Sequence, residues 1–286
     1  MSPGPIFVLF NAKVHWYGVL IALGIVCCLI AFYTLTKKKG MPEKVQDYIF
    51  FVLIGGLAAG FFFAMFFQAV YNWLEGKPFD LFGSGLTVMG GLIGGASCFL
   101  ILYFIVGKYY FRGKDKNLHL KHFNTLILVG PICICIAHGF GRLGCLMSGC
   151  CHGAYLGQSY TFGGIYMQGT THGWGYYVPT QLYEALFLFT LATVMTVLLF
   201  KRCNILMSIY LIGYGIWRMI IEFFRADAVG VITLGLRPSQ WQSIVFIAGG
   251  VALLIIYLVK KWPIFFPKKQ EEINDDKVKA EQENAE

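Results

Sequence analysis

Charge is what this chain has least of. Lysine, arginine, aspartate and glutamate make up 13% of its 286 residues, against about a quarter in a soluble domain. With 57% hydrophobic residues, that shortage leaves no room for a separate soluble domain and marks a polytopic membrane protein. Acidic residues are the scarcest, and the formal net charge is +8. The excess sits in loops between apolar runs, so it gives no argument for nucleic acid. The first apolar run, from Trp16, lacks a small-residue cleavage site and reads as a retained helix, not a signal peptide. No internal repeat is evident. Residues 270–286 lack aromatics and are densely charged, the composition of a solvated, disordered tail. Residues 1–269 read as one integral membrane domain.

The apolar runs predict seven helical spans, at 16–36, 47–74, 86–107, 123–143, 181–200, 205–224 and 241–260, each of about 20 residues or more. Basic residues punctuate them unevenly. Lys37, Lys38, Lys39 and Lys44 follow the first span; Lys108, Arg112, Lys114, Lys116 and Lys121 the third; Lys201 and Arg202 the fifth; Lys260, Lys261, Lys268 and Lys269 the seventh. The alternate loops hold only Lys77, then none from 143 to 178, then Arg225 and Arg237. The positive-inside rule therefore expects the N-terminus outside and the C-terminus in the cytoplasm.

Charges within the spans or at their ends are few and clustered. Arg142, Glu184, Arg218, Glu222 and Arg225 all fall in spans four to six. Arg218 and Glu222 are four apart on one helix face and able to pair; Arg225 and Asp227 continue the stripe. Such residues at membrane depth usually mark function. Two readings stand: a structural ion pair locking helices together, or a cationic site for an anionic headgroup. Arg142 supports the second, because it lies in a glycine-rich stretch, His138 to Gly153, where bare backbone admits a guest. A guanidinium fork matches phosphate oxygens. His138 is one turn before Arg142 and shares its face. Gln181 and Glu184 enter the membrane on adjacent turns after Pro179 and are expected to bond neighbouring helices. The small residues of 55–60 and 90–95 predict tight helix packing.

Of nine cysteines, Cys145, Cys150 and Cys151 stand apart, because they lie with His152 in the arginine stretch. They read as small packing residues, as a disulfide, or as a thiolate or metal site whose spacing matches no standard zinc pattern. The loop 154–178 is aromatic and glycine-rich without Lys, Arg or acid, suited to lying on the membrane surface against a substrate peptide.

Five stretches, in order, resemble the bacterial prolipoprotein diacylglyceryl transferases: Trp16-Tyr17-Gly18, Gly90-Gly91-Leu92-Ile93-Gly94, Gly141-Arg142-Leu143-Gly144 with Gly149 and Gly153, Pro179-Thr180-Gln181-Leu182-Tyr183-Glu184, and Arg218 to Asp227 followed by Gln240. The resemblance implies an all-α enzyme of about seven spans in the bacterial inner membrane. It would move a diacylglyceryl group from phosphatidylglycerol to a prolipoprotein lipobox cysteine, forming a thioether and releasing glycerol phosphate, without cofactor or metal. It implies phosphate binding by Arg142 and Arg218 and support from Tyr17 and Glu222. Gly90, Gly91, Gly141, Gly144, Gly153, Gln181 and Arg225 would contact substrate. The rivals are a paralogue with another acceptor that uses Cys/His chemistry, and a non-catalytic lipid-binding or transport protein. The chain departs from the family pattern at Met89, where histidine is usual, and at Cys145, Ser148 and Cys150, where asparagines and an acid are usual. His138, His152 and, less directly, His172 are left as candidate bases.

Overall fold

The structure is a computed structural model that describes residues 7–9, 12–83, 85–169, 172–226 and 235–260. Asp227 and the tail 270–286 lie outside the described residues. After a short hairpin, β1 (Phe7–Leu9) with β2 (Ala12–Val14), come seven long helices. These are α1 (Trp16–Lys38), α2 (Glu43–Leu74), α3 (Val88–Ile101), α4 (Phe123–Ser148), α5 (Thr180–Phe200), α6 (Leu206–Ile221) and α7 (Pro238–Lys260). α3 runs on through a π turn, Leu102–Val106, and a last α turn, Gly107–Tyr110. Among the described residues, seven helices are long and apolar enough to cross a membrane. Their flanks are studded with exposed large side chains such as Phe51, Leu57, Leu258 and Val259, an arrangement that only an apolar solvent favours.

The expected spans match the helices closely, with two differences. α4 runs to Ser148, five residues beyond the expected end at 143, so Cys145 is helical. Pro131 inside that helix removes one N–H, a loss that membrane helices tolerate when neighbours satisfy the backbone. The loop 154–178 is also more ordered than its composition implies. It forms a three-stranded antiparallel sheet in the order β3 (Tyr155–Gly157), β5 (Gly173–Tyr177), β4 (Ile165–Gly169). Cross-strand stacking of Tyr166 on Trp174 supports it. Met167 and Tyr177 pack with Leu146 of α4 and Leu182 of α5, so the sheet is fixed to the helices that carry Arg142 and Glu184.

The chain divides into two compact units, one of Thr36–Phe123 among the described residues, the other of the residues before and after it. In the Thr36–Phe123 unit, α2 and α3 touch backbone to backbone. A Cβ on Gly60 would sit 3.1 Å from the Gly91 carbonyl oxygen, and one on Gly95 would sit 3.1 Å from that of Gly56. The Tyr48 hydroxyl donates to the Leu102 carbonyl at 2.5 Å, at the π turn where the regular ladder is interrupted. The loop after α3 buries His119 completely among Phe111, Tyr103 and Tyr48.

In the other unit, a Cβ on Gly24 of α1 would meet Phe140 of α4 at 2.6 Å, and one on Gly139 of α4 would meet Phe189 of α5 at 2.7 Å. Phe187 of α5 stacks on Trp217 of α6 with centroids 4.5 Å apart. Gly215 and Gly250 admit the close contact of α6 with α7. These contacts bring the polar faces of α4, α5 and α6 together.

Candidate functional site

Glu184 is the hub. It lies on the second turn of α5, 2% exposed, and takes Arg142 Nε at 3.0 Å and Arg218 Nη1 at 3.5 Å on the same oxygen. Its other oxygen accepts the Tyr214 hydroxyl at 3.1 Å and lies 3.8 Å from His138 Nε2. The Arg142 side chain is 14% exposed and that of Arg218 12%. A carboxylate this buried is tolerated only because two guanidiniums and a hydroxyl replace its water.

The chain of charges continues along α6. Arg218 Nη2 meets Glu222 Oε2 at 3.1 Å, the pairing expected for residues four apart. Glu222 sits in a 3-10 turn, Glu222–Phe224, that follows α6. Arg237 closes the group: its Nη1 donates to the Glu222 carbonyl at 2.6 Å and lies 3.8 Å from the Glu222 carboxylate. Arg237 is held in turn by Gln240 Oε1 accepting its backbone N–H at 2.9 Å. The strand bridge between Gly153 and Arg225 brings the end of the cysteine stretch beside the end of α6. There a Cβ on Gly153 would clash with the Phe224 carbonyl at 2.6 Å.

Three arginines, 142, 218 and 237, thus stand with two carboxylates, Glu184 and Glu222, and the backbone of Arg225 bridges to Gly153 nearby. Arg218 Nη1, although near Glu184, is buried without an aligned hydrogen-bond acceptor. A buried guanidinium donor lacking an acceptor is costly unless a guest supplies one. The arrangement can bind an anion and hold it with fixed donors.

The other expected residues fall as follows. Tyr17 packs on Gly144, where a Cβ would come within 2.9 Å of its ring. Arg142 Nε also points at His138 Nε2, 3.3 Å away, so His138 shares the face as expected. Gly141 has open space around it. The Gln181 amide donates to the Cys150 carbonyl, tying α5 to the end of α4. His152 is fully buried, with Nδ1 2.9 Å from the Gly153 carbonyl oxygen and its ring against Tyr177. His172 is exposed and stacked on Tyr155. Gly90 and Gly91 belong to the Thr36–Phe123 unit, where a Cβ on Gly90 would meet the Phe63 carbonyl at 2.8 Å. All nine cysteines are free thiols.

Three members escaped the sequence reading as site residues. Glu184 was expected only to bond neighbouring helices. Tyr214 completes a stripe with Arg218 and Glu222 at successive helical turns, a pattern the sequence does contain. Arg237 reads from sequence as a loop cation; its partner in cis, Gln240, was the available signal.

The family profile described as prolipoprotein diacylglyceryl transferase matches residues 5–256. The chain is 31% identical over 272 residues to phosphatidylglycerol–prolipoprotein diacylglyceryl transferase of Clostridium tetani, covering 90% of this chain and 98% of that one. It is 30% identical over 266 residues to transferase 2 of that name in Clostridium perfringens, covering 88% and 94%. It is also 30% identical over 266 residues to the Streptococcus pneumoniae enzyme, covering 90% and 95%. The buried arginine–glutamate cluster therefore sits in a membrane protein that belongs to the prolipoprotein diacylglyceryl transferase family.

Proposed function

We propose that this chain moves the diacylglyceryl group of phosphatidylglycerol to the thiol of a lipobox cysteine in a prolipoprotein, in the bacterial inner membrane with its N-terminus outside. The observation that carries this reading is the Glu184-bridged pair Arg142 and Arg218, with the buried Arg218 Nη1 open to an acceptor. A phosphodiester supplies what is missing, acceptor oxygens. The names of the relatives supply the lipid and the protein substrate.

The step balances simply. The acceptor sulfur bonds the terminal glyceryl carbon, the carbon–oxygen bond to phosphate breaks, and glycerol phosphate leaves as a monoester. Charge gathers on the departing phosphate, so guanidiniums already in place stabilise the transition state more than the bound lipid. Glu184 keeps the two arginines from repelling each other and fixes their orientation. The thiol's proton goes to a neutral imidazole. His138, beside Arg142, takes this role once the substrate draws the Arg142 Nε–H away from its Nε2; His152 is engaged under the sheet. Tyr17, whose ring packs on Gly144, would offer its hydroxyl to the lipid headgroup. The sheet β3–β5–β4 would offer a surface for the signal peptide.

The test is mass spectrometry of a lipobox peptide incubated with the purified protein in phosphatidylglycerol micelles. A diacylglyceryl increment on the cysteine is expected with wild type and not with Arg142→Ala. A wild-type protein that retains lipid yet adds nothing to the peptide would overturn the reading.

A further inference from the structure

The end of α4 carries a second construction that the anion site does not require. The Sγ atoms of Cys145, Cys150 and Cys151 all lie within 4.8 Å of one another. Adjacent side chains in an extended chain point to opposite sides, so Cys150 and Cys151 need a special backbone to converge. They have one. Gly149 adopts φ +68 and Cys151, a non-glycine residue, φ +59. The Gly149 N–H bonds the Leu146 carbonyl, and the Cys150 N–H bonds the Cys145 carbonyl at 3.2 Å. The chain thereby folds back over the last helical turn and returns Cys150 above Cys145.

The turn is held from outside as well. Thr180 Oγ1 donates to the Cys151 carbonyl at 2.8 Å, and the Gln181 amide donates to the Cys150 carbonyl. A Cβ at position 149 would fall 1.9 Å from the Gln168 carbonyl oxygen, so glycine is required there. The left-handed Cys151 persists because α5 and the sheet over-determine it. All three thiols are half-buried, reachable by an ion yet shielded from bulk solvent.

We propose that Cys145, Cys150 and Cys151 form a three-thiolate site for a soft d10 metal ion, Cu(I) or Zn(II). Thiolate–metal bonds of about 2.3 Å place three sulfurs roughly 3.8 to 4.0 Å apart, so the cluster closes on an ion by a shift of less than about 1 Å. Sulfur donors select soft ions over calcium or magnesium. With Cu(I) the group is trigonal and carries two negative charges, with Arg142 and Arg225 at hand to balance them; with Zn(II) it carries one and leaves a fourth position to water. The same guanidiniums already favour thiolate. Ion binding displaces the remaining thiol protons. The site is independent of the transferase reading and would stand if that reading failed.

The full chain, purified in detergent under reductant, is titrated with Cu(I) against a chromophoric chelator and separately with Zn(II) alone. One ion per chain is expected, with three sulfur neighbours by metal-edge X-ray absorption. Cys150→Ser should weaken binding at least tenfold, and the triple serine variant should abolish it. Cys133→Ser, which alters the separate contact of Cys133 with the Cys28 carbonyl, should leave it unchanged. Should a variant not fold, wild-type protein gives the same answer. Bound metal should protect Cys145, Cys150 and Cys151 together from alkylation, mapped by mass spectrometry. Undiminished binding in the triple variant, fewer than three sulfur neighbours, or unprotected thiols with metal bound would each overturn the site. So would a disulfide among the three that persists under reductant.

Discussion

Two glycine-rich regions of this chain look alike in sequence and act differently in the structure. In α2 and α3, Gly56, Gly60, Gly91 and Gly95 exist to let two backbones touch; the atoms a Cβ would meet are mostly carbonyls and backbone of the facing helix. Neither helix carries a charged residue beside them: 48–74 and 88–101 hold no Asp, Glu, Lys or Arg. Around the end of α4, Gly144 makes room for a tyrosine ring, Gly149 supplies a left-handed turn against a carbonyl, and Gly153 lets the chain reach the end of α6. These three shape the surroundings of Arg142. Glycine spacing alone does not separate a packing seam from a binding site; the residues between the glycines do.

If that contrast holds, the largest effects belong to the charged cluster. Glu184→Ala should lower kcat/KM for peptide lipidation by about 10²-fold or more, as expected when fixed transition-state donors lose their orientation. It should also destabilise the fold by about 3 to 5 kcal/mol, because it leaves two buried guanidiniums facing each other. Glu184→Gln, which keeps the shape, should recover part of the stability and little of the activity. Peptide kinetics and thermal melting of the pair separate the two effects.

Next comes Gly149→Ala. The left-handed φ costs an alanine about 1 kcal/mol, and the clash with Gln168 adds a backbone shift, so melting should show a loss of about 2 to 4 kcal/mol. Gly141→Ala, a few residues away with open space around it, should change stability by no more than about 0.5 kcal/mol. Equal losses at both would break the distinction drawn here. In the seam, Gly60→Val should cost about 1 to 3 kcal/mol by forcing α2 off α3, with kcat for peptide lipidation changed less than by Glu184→Gln.

The smallest effect is titrational. Burial lowers the pKa of His119 below its ordinary value, and neither ring nitrogen has a hydrogen-bond partner among the described residues. The unfolded chain therefore binds the proton more readily. The stability this histidine contributes is complete above about pH 6.5 and is lost as pH falls towards the folded value. Melting temperature should drop over that window in wild type and drop less in His119→Phe.

Much of this was readable before any coordinates. Long apolar runs determine spanning helices almost by themselves, because backbone groups in lipid must be satisfied within the segment; hence the close agreement for α1, α5 and α7. The pairing of Arg218 with Glu222 and the shared face of His138 and Arg142 follow from helical period. What escaped depended on contacts between elements. Glu184 is four residues into a helix and gives no sign in sequence of which arginines it will join. Arg237 reaches Glu222 only through the chain's return to α7. The strands β4 and β5 carry glycines and aromatics that equally suit a surface loop. The convergence of Cys150 and Cys151 required a positive φ at a non-glycine residue, which no spacing rule announces.

The central claim is that Arg142 and Arg218, bridged by Glu184, hold the lipid phosphate through its charge. Native mass spectrometry of the protein from micelles with equal phosphatidylglycerol and phosphatidylethanolamine tests it directly. Wild type should retain phosphatidylglycerol in preference to the zwitterionic lipid, and the double variant Arg142→Ala/Arg218→Ala should lose that preference while still carrying lipid. A double variant that keeps the preference would contradict the account and return the cluster to the role of a structural ion pair.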